Sequence, residues 1–228
     1  QLTRIVALED GSKISLQPNS QLQYPHHFKA GRREVYLKGE AFFEIARDTT
    51  SPFLVYTHDV TTKVLGTSFT IKAHENMKEV AVIVRTGKVM VYRSDKLVST
   101  NTNEPNDSEV NPEVILTPNQ EVIYDRQTEQ LSKGLVEKPQ IIEVVPSLKM
   151  SYTNAPAVEI FEAIEKAYGV DIEFDATLLQ SCTITAELVN EDLYQRVQMI
   201  CYALGAEYRI DNMSIVIESK GCNNKPRQ

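Results

Sequence analysis

From Arg33 to Ile45 apolar and polar side chains alternate with a period of two. Val35, Leu37, Ala41, Phe43 and Ile45 fall on one side, Lys38, Glu40 and Glu44 on the other, and Gly39 lies in step between them. A segment that buries every second residue is an extended strand with one face on a core. After a break over 48–52 comes PFLVYT, then a β-branched run that turns at Gly66 and resumes as SFTIKA. There Phe69, Ile71 and Ala73 face one way, Thr70 and Lys72 the other. Upstream, TRIVAL, KISL and QLQY are parted by Asp10-Gly11 and by Pro18-Asn19-Ser20; downstream, AVIV and KVMVY are joined through Thr86-Gly87. No helical period occurs in residues 1–93. About ten short strands with frequent turns predict an all-β domain, and their even spacing fits a twisted sandwich, a roll or a solenoid-like stack alike.

Residues 94–113, SDKLVSTNTNEPNDSEVNPE, lose all periodicity and predict an exposed loop. VILTPNQEVIYD then resumes the sheet, which closes near Leu131, so the β domain spans 1–132. A connection over 133–148 carries Gly134, Pro139 and Pro146, and its apolar IIEVV predicts packing on a neighbour. Beyond it the period changes to that of a helix. Asn154 is the expected cap of a first helix with Pro156 in its first turn. Ala157, Ile160, Phe161, Ile164 and Tyr168 recur at helical spacing and Gly169 ends the run. Asn190 is the expected cap of a second helix, with Glu191 and Asp192 at its positive end. Its apolar positions are Leu193, Val197, Ile200, Cys201 and Leu204, and Gly205 is its stop.

The two helices sit 36 residues apart in parallel surroundings: Phe161 maps to Val197, Ile164 to Ile200, Gly169 to Gly205 and Asp175 to Asp211, so that KAYGVDIEFD matches YALGAEYRID. Descent from one unit and convergence on one local physics explain this equally well. Either predicts an α+β domain over 149–218 made of two βα-strand halves: MSYT, helix, VDIEF, then TITAEL, helix, EYRI, a turn at Asp211-Asn212, and MSIVIE. Residues 219–228 are expected to be a disordered tail.

Composition narrows the chemistry. The chain has 228 residues, 42% hydrophobic and 24% charged, enough for sizeable cores. No run of eighteen apolar residues or signal-peptide core is present, so it reads as a soluble segment of a longer protein. The formal charge of −7 is concentrated late: residues 1–140 carry 17 Lys/Arg against 18 Asp/Glu, residues 141–228 carry 7 against 13. A net −6 in the last segment speaks against nucleic acid as a partner. Cys182, Cys201 and Cys222 have no zinc spacing. Cys201 reads as a core residue and Cys222 as part of the tail, and an oxidising compartment would permit a bridge between two of the three. No G-x-S-x-G, phosphate loop or H-E-x-x-H occurs, so no catalytic, metal or cofactor residues are assigned. His26 and His27 are expected on opposite faces of an extended segment. His58-Asp59, His74-Glu75 and the pair Glu40 and Glu44 read as solvated turns and a polar strand face. Trp is absent, and most Tyr and Phe are expected in core positions, which disfavours a carbohydrate-binding platform.

LKGEAFFEIARD, PFLVYT and VLGTSF, preceded by LEDGSKISLQPNSQLQYP, resemble the signature of the FecR-type periplasmic regulators of extracytoplasmic-function sigma factors. NAPAVEIFEAIEKAYGVDIEFD is similar to the short domain shared by secretins and TonB-dependent receptors, with Ala157-Val158 where a Leu usually follows the proline. The resemblance implies a periplasmic, inner-membrane-anchored regulator. Its sigma-factor-binding region and one transmembrane helix would lie outside this segment, and it would receive a signal from the signalling domain of a TonB-dependent outer-membrane receptor. The membrane would be touched only through that helix. A structural part of a secretin-like assembly, and a carbohydrate-binding β domain, are the alternatives. For the receptor contact, the final strand Met213, Ile215, Val216, Ile217 and Glu218 is predicted to be an open sheet edge, the helices being the candidates should that strand prove central.

Overall fold

The computed structural model describes residues 2–94, 113–149, 151–189 and 191–222. The chain divides into two compact units, Gln1–Gly134 and Leu135–Gln228. The loop expected over 94–113 falls almost wholly outside the described residues, as do Asn190 and the end of the tail.

The first unit is all β, with its strands in one continuous network. They are β1 (Arg4–Ala7), β2 (Lys13–Leu16), β3 (Gln21–Gln23), β4 (Arg33–Glu44), β5 (Phe53–Tyr56), β6 (Val60–Val64), β7 (Ser68–Ala73), β8 (Glu79–Thr86), β9 (Val89–Arg93), β10 (Val114–Leu116), β11 (Gln120–Asp125) and β12 (Gln130–Leu135). The long strand β4 is the hinge of the design. Its first half pairs with β3 and, in parallel, with β5, continuing through β6 and β9 to β10; its second half pairs with β2 and β7, continuing through β8 and β11 to β12. One strand thus serves two sheets, and both arms close on one core. Val35, Phe43, Phe53, Phe69 and Val91 are each fully shielded. The change of sheet falls at Gly39, whose φ is +94°; a Cβ there would sit 2.4 Å from Ser20 Oγ. That oxygen accepts from the Glu40 amide at 2.8 Å, so the corner needs a residue without a side chain.

The alternation read from β4 holds: Val35, Leu37, Ala41, Phe43 and Ile45 are all buried, as are Phe69, Ile71 and Ala73 of β7. Phe43 and Phe69 face each other across the pair, their rings stacked with centroids 5.0 Å apart. A buried charge was not legible. Arg33, 3% exposed, pairs with Asp10 at 2.7 Å, donates to the Ala46 and Ser51 carbonyls, and lies over the Phe53 ring. The sheet also runs past its expected end near Leu131, because β12 continues to Leu135.

The second unit contains β13 (Ser151–Pro156), α1 (Ala157–Tyr168), β14 (Asp171–Glu173), the short α2 (Ala176–Leu179), β15 (Thr183–Glu187), α3 (Leu193–Leu204), β16 (Glu207–Asp211) and β17 (Ser214–Glu218). Helix α1 packs on β13 and β14, and α3 on β15 and β16, so both helices lie between a two-stranded sheet, β13-β15, and a three-stranded one, β14-β17-β16. All ten apolar helix positions read from the sequence are buried. The helices start and stop 36 residues apart, each ended by a left-handed glycine, Gly169 or Gly205.

The starts differ from expectation. Asn154 belongs to β13, with φ +48°, and Pro156 occupies the cap position of α1 without a side-chain bond; pairing of Ala155 and Pro156 with β15 keeps the backbone extended to that point. Asp192 caps α3 in a reciprocal capping box with Gln195, whereas Asn190 lies outside the described residues. The connection is held mainly by its backbone: the Ile142 and Glu143 amides donate to the Ala167 carbonyl at the end of α1, and of the apolar IIEVV only Val145 is buried, Val144 being 90% exposed. The tail expected from 219 onward is not free at its start. Cys222 is bonded to Cys182, which is 1% exposed at the end of α2.

Candidate docking surface of the C-terminal unit

The final strand is not an edge. β17 is the centre of its sheet, with Ser214, Ile215 and Val216 in register with Asp171, Ile172 and Glu173 of β14 on one side, and the whole strand antiparallel to β16 on the other. Ile215 and Ile217 are core residues, Val216 is half-buried, Met213 lies in the turn after Asn212, and Glu218 is bonded to Arg209. The sequence could not decide this, because a short apolar strand at a chain end pairs equally well on one side or two; here β14 takes the second side in parallel.

The open edges of that sheet are β14, only three residues long, and β16. A two-residue turn, Asn212-Met213, makes Asp211 and Ser214 a hydrogen-bonded pair. Alternation along the ladder then directs the Tyr208 and Ile210 backbone groups away from β17, toward the open side. Ile210 keeps half its side chain in solvent although its register partner Ile215 is fully buried. On α3, Met199 and Tyr202 are also exposed, the latter to 80%. Edge backbone and apolar rim together are what an added strand requires. With the edge expected at Met213–Glu218, Tyr208 and Ile210 are missed; their alternation with Glu207, Arg209 and Asp211 is the available signal.

On the solvent face of the same sheet stand Asp171, Glu173, Glu207, Asp211 and Glu218 against one cation. Arg209 donates to Asp211 at 2.6 Å and to Glu218 at 3.0 Å, which raises its pKa. Nearby at the end of α1, Glu165 has its pKa raised by burial and by Asp171 and Glu162. Five of the thirteen acidic residues of the last segment therefore share one face.

The remaining candidates from the sequence form no catalytic or metal centre. His26 and His27 do not point apart: they lie in a turn, ring nitrogens 3.0 Å from each other, and His27 Nδ1 is 2.8 Å from Glu9. The Phe28 amide, then His27, hold the Glu9 carboxyl below its usual range. Asp59 is paired with Arg126 rather than His58, and Glu75 with Lys38 rather than His74, whose ring stands 3.9 Å from Glu40. Among the described residues no group of three or more metal-ligating side chains occurs, and no helix is long and apolar enough to cross a membrane.

The chain combines a β sandwich built on one shared strand with a two-sheet unit whose β16 edge is open. The chain belongs to the FecR family: residues 3–90 match the family model described as FecR protein, and residues 149–217 match that of the FecR C-terminal domain. Two crystal structures of a Parabacteroides distasonis protein provisionally assigned as an anti-sigma factor, at 2.50 and 1.65 Å resolution, are 27% identical to it. The matches cover 96% of this chain and 95% and 96% of theirs, each with a TM-score of 0.51. No curated protein sequence matches significantly. Family and neighbours together support a role as a regulator of a sigma factor.

Proposed function

We propose that this chain is the periplasmic region of a membrane-anchored anti-sigma factor. In this reading it binds the signalling domain of a TonB-dependent outer-membrane receptor and relays the signal to an extracytoplasmic-function sigma factor through protein contacts alone. The observation that carries the reading is the open β16 edge with its apolar rim, in a unit of the FecR C-terminal type. The Cys182–Cys222 bridge fits an oxidising compartment. A receptor strand laid along β16 would gain main-chain hydrogen bonds from Tyr208 and Ile210 and cover the exposed half of Ile210. The acidic face selects a partner with basic residues on the matching side.

Calorimetric titration of residues 1–228 with the signalling domain of the receptor encoded beside it tests the proposal. A one-to-one complex is expected, with association slowing as salt rises from 50 to 500 mM because the acidic face is screened over about a Debye length. Absence of binding at 100 µM of each protein would overturn the relay reading.

A further inference from the structure

The tyrosines of the first unit are not all in its core. Tyr24 is 43% and Tyr36 54% exposed, in a unit that otherwise shields its large rings. Register explains where the Tyr36 ring points. Across β4 it lies opposite Tyr56 of β5 on one side and Gln23 of β3 on the other. It stacks on Tyr56, centroids 5.1 Å apart and planes 25° from parallel. On its other side the Gln23 side chain shares the same sheet face, and there a slot of about 280 Å³ opens, lined by Gln23, Tyr36 and the segment that follows β3. Tyr24 and Phe28 line the opposite wall, and Phe28 is fixed edge-on against Phe53 at 5.9 Å.

Arg32, Glu34 and Tyr36 succeed one another at every second residue and all line the slot. Arg32 Nε is 3.4 Å from Glu34 Oε1, and the same oxygen accepts from the Tyr56 hydroxyl at 3.1 Å. Among the described residues these bonds leave Glu34 Oε2 and the two Arg32 Nη groups available. The result is an aromatic face with an acceptor and a forked donor at its rim.

We infer that this slot is a binding site for a single pyranose ring of a glycan, stacked by its C–H face on Tyr36, with adjacent hydroxyls bonded to Glu34 and Arg32. An apolar side chain would fill the slot but leave the Arg32–Glu34 groups without partners, at a desolvation cost that hydroxyls avoid. The volume lies just below the roughly 300–1,000 Å³ of sites that enclose drug-sized ligands, which limits the occupant to one ring of a chain. The inference is independent of the relay reading: the slot belongs to the first unit, and its failure would leave receptor binding untouched.

Saturation-transfer NMR on the whole chain, with hexasaccharides of glucose, xylose and N-acetylglucosamine in α and β linkage at 1 mM, is the test. At least one sugar should show transfer from its ring C–H protons. Y36A should weaken it at least tenfold and E34Q several-fold, while Y202A, on the second unit, should leave it unchanged. Circular dichroism checks that each variant is folded. If no hexasaccharide binds, or Y36A binds as wild type does, the proposal is wrong.

Discussion

Proline placed at Ile210 or at Val216 separates an open edge from a central strand. In β17 the Val216 amide bonds to Arg209 of β16, the next hydrogen-bonded pair after Asp211 and Ser214. V216P deletes that bond and strands a carbonyl inside the sheet. A net loss of about 1 kcal/mol for the bond and ~1–3 kcal/mol for the unpaired acceptor, with the ring's steric cost, gives roughly 3 kcal/mol or more. The Ile210 amide faces the open side, so I210P removes no ladder bond. Ile210 is 49% exposed, so of the ~1.5–3 kcal/mol gained by burying such a side chain only about half is at stake, and proline restores part of it. I210P should cost about 1 kcal/mol or less, a fall of roughly 4–8 °C at most in the melting temperature of a unit this size. Its affinity for the receptor domain should nevertheless drop at least tenfold, because the edge loses a donor and meets the proline ring. Thermal unfolding by circular dichroism and calorimetric titration, on the same preparations, read both quantities. Unchanged binding by I210P would refute strand addition at β16, and a V216P protein as stable as wild type would refute the central position of β17.

Three further outcomes follow from packing and charge. Replacing both Cys182 and Cys222 by serine opens a loop with a sequence separation of 40 residues, which the chain-entropy relation values at about 4 kcal/mol; denaturant titration should show a loss of up to that size, while Cys201, its thiol pushed up to about 11 by burial, stays unreactive to alkylation in the native state. R33M removes the buried partner of Asp10 and two carbonyl donors, and urea unfolding should report a loss of about 3–5 kcal/mol confined to the first unit. Because the Glu165 carboxyl has a folded pKa above its unfolded value, the unfolded state loses its proton first, and stability falls as pH rises through that range; E165Q should therefore melt higher than wild type at pH 7 and show no advantage at pH 3.

How much of this protein its sequence fixed can be followed residue by residue. Alternation along 33–45 and 68–73 placed every inward apolar residue of β4 and β7, though not Arg33, since a strand with one buried face must alternate whatever it pairs with. Helical spacing and the stop glycines gave α1 and α3 nearly to their ends, because those signals are local. The caps differ where the chain is held otherwise: Asn154 lies in the irregularity of β13, whose Ala155 and Pro156 pair with β15, and Asp192 meets the α3 amides. The four-residue α2 carries too little pattern to be seen, whereas β14 falls within the strand expected at VDIEF.

What the sequence determined by itself is therefore each segment's type, its inward face and the absence of any catalytic motif, all set by contacts within a few residues. Which strand ends a sheet, which cysteines meet, and which tyrosines stand in solvent were decided only by tertiary structure. β17 became central because β14 lies beside it in parallel, Cys222 reached Cys182 across 40 residues, and Tyr36 stayed 54% exposed because β5 sets a ring beside it and β3 only Gln23. Each is a choice of distant partner, made by whatever elements the closing chain brings alongside, and no local pattern encodes it.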